Sequence, residues 1–388
     1  MNRLFTKDAM ELLARVGDLD SKSDVLTLIT TLRKQGYDPL LVTEVVTQAR
    51  LRTRGKAKFG DFANQMLFTE AGLEQATRID VAALHAERFR NACLNKIADL
   101  GCGIGADSLA FSALGLEVTA VERDEDTAAL AAFNLAAFEQ SKVLNQSAEE
   151  LAIEDFDGLW VDPARRNLDR KDAKHITLGP EDFSPNLNWV FSLEKPMGVK
   201  LGPAFPHELI PDQAQAQWVS HQGDLVEVVL WFGNLSGNSE RVATMLRNGQ
   251  RHEFEGEGAV SAPIGELGHY IYEPDSALIR SRLMGEFAVK NELAGFSEGI
   301  AYLTSNRIIE SPWLKTYKVN EILPLDEKGI RKRLTELEIG ILEIKKRGVD
   351  ITPETLRPKL KLKGSGAATL MLTKVGSARK ALICEALR

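Results

Sequence analysis

A chain of 388 residues, 44% hydrophobic and 27% charged, has room for two or three domains with large cores and the make-up of an ordinary globular protein, not a disordered or fibrous one. Three scattered cysteines and six histidines without ligand spacing exclude a disulfide framework and a structural zinc site. No apolar run approaches the roughly 18 residues of a membrane helix, and the charged start MNRLFTKDAMELL is unlike a signal peptide, so a cytoplasmic protein without membrane or metal is expected.

Residues 1 to 58 read as helices. Leu12, Leu13 and Val16, then Val25, Leu28, Ile29 and Leu32, then Leu41, Val42, Val45 and Val46 recur at three-to-four spacing, with breaks at Gly17 and at Gly36-Tyr37-Asp38-Pro39. A run of cations follows, Arg50, Arg52, Arg54, Lys56 and Lys58, which suits either a solvated hinge or a surface laid along a phosphate backbone. Two further helical segments lead to the stretch that organises the chain, KIADLGCGIGADSLAFSALGLEVTAVE (96–122). Ile97, Ala98 and Leu100 make a short buried strand, and Gly101, Gly103 and Gly105 alternate behind it. Leu109, Ala110, Ala113 and Leu114 then recur at helical spacing, and Val118, Ala120 and Val121 form a second strand ending on Glu122. Glycines let the backbone turn tightly and approach a ligand, and a helix start offers free N–H groups. A carboxylate at the tip of the second strand, 21 residues beyond the first glycine, can accept both hydroxyls of a ribose. An adenosine-bearing cofactor is expected. On glycines alone, Gly101 and Gly103 with Ala106 also satisfy a dinucleotide pattern, and a bland α/β turn would use them only for packing.

An alanine-rich helix follows at 124–138, then strands at 143–148, 158–162, 198–201 and 224–232. Strands alternating with helices imply a mostly parallel sheet covered on both faces. Ligands sit at the carboxyl ends of such strands, where Gly101, Glu122, Ala148 and Asp162 fall. Beyond Phe232 a hairpin is expected over 241–263, then a strand, a Pro-Asp turn and a helix from residue 268. From Tyr317 the pattern is strand, helix (328–337), strand, a helix opened by Thr352-Pro353-Glu354, and two closing strands. Charge is concentrated here: residues 328–388 hold 15 Lys or Arg against 6 Asp or Glu, a balance of +9 in a chain of net charge −7. Such a split suits an anionic partner such as nucleic acid, or only a well-solvated surface.

Asp99 ahead of the glycines gives DxGxGxG, and the fourth strand ends in Asp162-Pro163-Ala164-Arg165. The two stretches resemble the first motif and the catalytic loop of class I S-adenosylmethionine methyltransferases. GLEQATR, DLGCGIGAD, VDPARR, GDLVEVVLW and EIKKRGVDITPETLRPKLKLKG extend the resemblance to those bearing a C-terminal THUMP-like domain, a bacterial group related to RNA-modifying enzymes. The resemblance implies an α/β fold with a Rossmann-like class I methyltransferase sheet (71–250), an N-terminal helical domain (1–70), a connecting segment (251–314) and a C-terminal α+β THUMP-like domain (315–388) that binds RNA. It implies S-adenosylmethionine as cofactor, held by Thr77, Asp99, Gly101, Cys102, Gly103, Gly105, Ala106, Asp107, Glu122, Arg123, Ala148 and Glu149. Glu122 would take the ribose, and Ala148 and Glu149 border the adenine. Gln75 or Thr77 can bond the methionine carboxylate, or either can cap the next helix.

Methyl transfer from a sulfonium is an in-line displacement, so the protein mainly has to position a nucleophile. An exocyclic base amine is a poor one, its lone pair being delocalised into the ring. The Asp162 carboxylate and the Pro163 carbonyl can each accept one of its N–H bonds and aim the lone pair at the methyl, with proline fixing the loop. The loop is similar to the (Asp/Asn)-Pro-Pro-(Tyr/Phe) loop of amine-directed methyltransferases, but Ala164 replaces the second proline and Arg165 the aromatic. Arg165 and Arg166 can stack on a base or pair with phosphate, as a tRNA or rRNA substrate needs, or form a solvated pair behind a strand stop. Lys200 and His207, in GVKLGPAFPHELIP, can face the substrate, although a lone loop histidine is as readily a surface group. Pyrimidine-carbon methylation through a cysteine nucleophile fits poorly. An RNA base methyltransferase is expected, with a small-molecule or protein methyltransferase and a non-catalytic RNA-binding scaffold as alternatives.

Overall fold

The computed structural model describes residues 3–19, 22–165 and 179–387. It divides into two compact units, one formed by Met1–Leu201, Pro206–Ala214 and Val229–Ser236, the other by Gly202–Phe205, Gln215–Val228 and Gly237–Arg388. Among the described residues no helix is long and apolar enough to cross a membrane.

The first unit opens with helices α1 (Lys7–Arg15), α2 (Lys22–Lys34) and α3 (Pro39–Phe59). The Thr6 hydroxyl accepts the Ala9 N–H at the start of α1, and the Asp38 carboxylate accepts from Leu40 and Leu41 ahead of α3, with proline in the first turn. Leu12, Leu13, Leu32, Val42, Val45 and Val46 build a core that also takes in Ile104 and Ala106 from the glycine turn. The run of cations at 50–58 is no hinge; it lies within α3. Arg52 donates to the Met66 carbonyl at 2.8 Å, Lys58 to the Glu74 and Ala76 carbonyls at 2.7 Å each, and Lys56 pairs with Asp18. Those three cations fasten the helix to its neighbours.

Short α4 (Glu70–Gln75) and α5 (Ile79–Asn91) lead to β1 (Lys96–Leu100), α6 (Ala106–Ala113), β2 (Glu117–Glu122), α7 (Glu125–Leu135), β3 (Lys142–Asn145) and β4 (Gly158–Val161). Two-residue strands β5 (Ala164–Arg165) and β6 (Phe183–Ser184), then α8 (Leu187–Phe191) and β7 (Met197–Leu201), complete this run. The strands pair in parallel in the order β3-β2-β1-β4-β7. The order reverses between β1 and β4, and such a switch point opens a crevice at the carboxyl ends of the two strands. The third strand stops at Asn145, short of the expected Ala148, which sits with Glu149 on a 3-10 turn (Ala148–Glu150). The Asn145 amide accounts for this, since it donates to the Glu122 and Arg123 carbonyls at 3.0 Å each and stands where another ladder rung would.

The second unit holds β8 (Gln215–His221), the first part of β9 (Asp224–Phe232), β10 (Arg241–Arg247) and β11 (Gln250–Gly256), in the order β11-β10-β8-β9. Strands β10 and β11 form the expected hairpin around Asn248-Gly249, both at positive φ. Strand β8 escapes the sequence pattern because polar residues lie inside it: Gln215 donates to the Ser239 carbonyl and Gln217 to the Thr244 hydroxyl, both at 2.7 Å. Its second sheet comprises β12 (Tyr270–Pro274), β13 (Leu303–Ser305), β14 (Leu314–Pro324), β15 (Ile339–Lys346), β16 (Gly366–Val375) and β17 (Ala378–Leu387), ordered β13-β12-β14-β17-β16-β15. Helices α9 (Ser276–Arg280) and α10 (Met284–Lys290) follow β12. Helices α11 (Glu327–Glu336) and α12 (Pro353–Leu360) pack Ile330, Leu334, Leu356 and Leu360 against Leu342, Leu370 and Leu372 of the sheet.

Tight packing beneath the first sheet is tested at Gly198 of β7. A Cβ added there would stand 2.6 Å from the Trp231 ring and 2.7 Å from that of Trp160. Gly198→Ala is expected to lower unfolding free energy by about 1–3 kcal/mol through overpacking. Urea titration reads this as a lower midpoint at unchanged slope, and a wild-type midpoint would contradict so close a contact.

Candidate active site

The turn after β1 is held from both sides. Gly101 and Cys102 both donate their N–H to the Val121 carbonyl at 3.0 Å, and Asp162 donates its N–H to the Leu100 carbonyl at 3.2 Å. Gly101 has φ +86°, and a Cβ there would lie 3.0 Å from the Asp162 carbonyl oxygen, so conformation and close approach both demand glycine. Gly105, at φ +84°, caps α6. Gly103 is also left-handed, at φ +56°, and faces open space where a side chain would begin. The Glu122 carboxylate accepts the N–H of Gly103 at 3.1 Å and that of Asp124 at 2.9 Å, which brings the tip of β2 against the turn.

Beneath the turn lies a buried polar network. Asp99 is 1% exposed; one oxygen accepts the Ser108 hydroxyl and the other, Oδ1, has no partner among the described residues. Burial and the nearby Asp107 push its pKa up to about 8. For Asp107 burial works the same way, but Lys200, His85 and Thr77 outweigh it and hold the pKa at about 2. Its Oδ1 meets His85 Nδ1 at 2.8 Å and its Oδ2 accepts the Thr77 hydroxyl at 2.7 Å. Thr77 in turn accepts from the Lys200 ammonium at 2.8 Å, and that ammonium lies 2.5 Å from Asp162 Oδ2. A continuous path therefore runs from His85 on α5 to the loop after β4. On α3, Lys58 has its pKa lowered to about 8 by burial, Arg78 and Lys200.

The structure thus brings Thr77, Asp99, Gly101, Cys102, Gly103, Gly105, Asp107, Glu122, Asp162 and Lys200 to one end of the sheet. Lys200, read from sequence as facing a substrate, has its ammonium on the Asp162 carboxylate, with 11% of its side chain exposed. Pro163 is buried; Ala164 and Arg165 are exposed on β5, paired with β6. Arg123 donates to the Ser184 hydroxyl at 3.0 Å. Ala106 opens α6, Glu149 accepts the Ser147 hydroxyl, and His207 begins a 3-10 turn (His207–Leu209). Arg166 lies outside the described residues. Burial and the charges of Asp99 and Glu122 push the Cys102 thiol well above its ordinary pKa, which disfavours a thiolate nucleophile. The described residues contain no group of three or more His, Cys, Asp or Glu able to hold a metal. Sequence reasoning missed His85. The signal for His85 was an imidazole on the apolar face of a helix, where Val81, Ala82 and Phe89 are also buried and a polar side chain needs a partner.

Residues 314–386 match a family model described as THUMP domain-like, residues 74–157 one described as tellurite resistance protein TehB, and residues 1–55 a domain of unknown function. The chain is 28% identical over 346 residues to an uncharacterized S-adenosylmethionine-dependent methyltransferase of Mycobacterium tuberculosis, covering 86% of this chain and 93% of that one. A crystal structure from Porphyromonas gingivalis, provisionally named a methyltransferase, superposes with a TM-score of 0.71 at 19% identity, covering 94% of this chain and 98% of that one. Its fold is shared.

Asp99 and Asp107 give opposite pH signatures. Asp99, raised from 3.8 to about 8, contributes stability that is present below pH 4 and lost as pH rises towards 8. Asp107, lowered to about 2, contributes stability that is present above pH 4 and lost only in strong acid. Asp99→Asn is expected to flatten the decline in stability between pH 5 and about 8, as followed by urea unfolding at a series of pH values. Parallel curves for variant and wild type would show that Asp99 is not held protonated.

Proposed function

We propose that this chain, which is an S-adenosylmethionine-dependent methyltransferase with a C-terminal THUMP-like domain, methylates an exocyclic amine of a base in RNA. The observation that carries this is the joint between the glycine turn and the loop opening at Asp162, which share a hydrogen bond and a contact only glycine permits. When bound, S-adenosylmethionine supplies an electrophilic methyl on a sulfonium. The residues suit it: open space at Gly103, a carboxylate at Glu122 and a buried Asp99 oxygen without a partner among the described residues. Asp162 and Pro163 lie beside that turn, where the carboxylate and the carbonyl would accept the two N–H bonds of the acceptor amine. Lys200 anchors Asp162 Oδ2 and so holds the carboxylate in its orientation.

The substrate class rests on the second unit and on the loop itself. The THUMP-like stretch and its excess of cations from residue 328 suit a polyanion. Exposed Arg165, directly after the loop, offers a planar cation for stacking on a base. The missing aromatic at that position favours, as a second reading, an acceptor other than a base amine. A neutral small acceptor would bind with little dependence on salt, whereas RNA affinity falls steeply with it.

Two variants separate chemistry from cofactor binding. With RNA from a strain lacking the protein as acceptor and a tritiated methyl donor, Asp162→Ala is expected to reduce transfer by about 100-fold or more through lost positioning. Calorimetry should find its S-adenosylhomocysteine affinity nearly unchanged. Glu122→Ala should weaken that affinity first. Equal loss of transfer and affinity in the Asp162 variant would contradict the role assigned to it.

A further inference from the structure

The stretch EIKKRG has no part in the methyl-transfer site. In the second unit it places Lys345, near the end of β15, and Arg347, just beyond, on a cavity of about 160 Å³. Arg247, the last residue of β10, and Lys315, on β14, line the same cavity, with Glu273 and Asp275 as its carboxylates among the described residues. Cations therefore outnumber carboxylates by two in the lining.

The carboxylates do not neutralise them. Glu273 is shared: it accepts from the Lys345 ammonium at 2.7 Å and the Tyr317 hydroxyl at 3.3 Å, and faces Arg347 at 3.4 Å. Asp275 uses one oxygen on the Ser220 hydroxyl at 2.6 Å and on the Ala277 N–H at 2.9 Å, while its other oxygen meets Arg247 only at 3.4 Å. Exposed Glu343 lies 3.3 Å from Lys345 but does not line the cavity. Each guanidinium also donates to one carbonyl, Arg347 to Ala301 at 2.9 Å and Arg247 to Pro312 at 3.3 Å. Arg247 uses two of its five N–H donors in these contacts; Arg347 uses two and also bonds Tyr302, over whose ring its guanidinium lies at 4.6 Å. Burial opposes the Lys345 ammonium, yet Glu273 raises its pKa, so the residue stays charged. Like charges gathered around a polar hollow concentrate positive potential where an anion can complete the set.

We propose that this cavity is a phosphate-binding site, taking one phosphate monoester through Arg247, Lys315, Lys345 and Arg347. A monoester carries close to two negative charges at neutral pH, matching the excess in the lining, and guanidinium forks suit its oxygens. The phosphate can belong to a free nucleotide or to the end of a nucleic acid.

Calorimetry on the full chain, with the cofactor site saturated by S-adenosylhomocysteine, tests this with uridine 5′-monophosphate against uridine. The monophosphate should bind about tenfold tighter or more, the value of one charge-assisted hydrogen bond. Lys315→Gln and Lys315→Glu should each remove that preference while leaving S-adenosylhomocysteine affinity intact; Lys315 is chosen because truncating Lys345 or Arg347 strips a partner from half-buried Glu273, and truncating Arg247 strips one from buried Asp275. A short RNA carrying a 5′-phosphate, compared with its 5′-hydroxyl form, identifies the source. A preference for the phosphorylated end assigns the site to nucleic acid, and equal binding of the two beside a tight monophosphate assigns it to free nucleotide. Equal binding of monophosphate and uridine, or wild-type preference in both variants, would overturn the site and leave a structural ion-pair cluster. No methyl transfer enters the test, so its outcome is separate from that of the proposed reaction.

Discussion

One backbone hydrogen bond, from the Asp162 N–H to the Leu100 carbonyl, joins the loop after β4 to the end of β1, and the organisation of the site follows from it. Neighbouring parallel strands on either side of a switch point leave their carboxyl ends facing the same crevice. Gly101 completes the joint by lacking a side chain where the Asp162 carbonyl comes closest. The Val121 carbonyl, accepting from both Gly101 and Cys102, ties the same turn to β2 and so to Glu122. Three strand ends are thereby fixed with respect to one another by main-chain contacts alone, before any catalytic side chain is considered.

The electrostatics are set a layer below. Asp99 and Asp107 are both buried and eight residues apart, yet their environments drive them in opposite directions. Asp107 has His85, Thr77 and Lys200 around it and stays ionised, whereas Asp99 has one hydroxyl and a neighbouring negative charge and favours the proton. Lys200 bridges this layer to the surface by reaching Thr77 and Asp162 at once. A cation placed there stabilises the buried Asp107 carboxylate and orients the partly exposed Asp162 one.

Local pattern made much of this legible. Short range fixes a strand, a glycine turn, a helix and a second strand ending in a carboxylate, so β1, α6, β2 and Glu122 stand where the sequence puts them. What the sequence hid is long-range. Thr77 and Lys200 are 123 residues apart, and no spacing rule connects them. Strand β8 escapes a hydrophobicity pattern because its buried glutamines find distant partners, Gln215 at Ser239 ahead of β10 and Gln217 at Thr244 within it. The cations at 50–58 read as solvated because charge normally signals exposure, whereas carbonyls at the ends of neighbouring segments receive them instead. The convergence of Lys345 and Arg347 with Arg247 and Lys315 depends on strands nearly a hundred residues apart meeting around one hollow.

The central claim is that the glycine turn holds the donor with its reactive end towards Asp162. A crystal structure of the full chain with S-adenosylhomocysteine tests it most directly. The account predicts ribose hydroxyls on the Glu122 carboxylate, the amino-acid portion near Thr77 and the thioether sulfur facing the Asp162 loop. Product bound elsewhere, or a ribose turned away from Glu122 with its sulfur distant from Asp162, would contradict it.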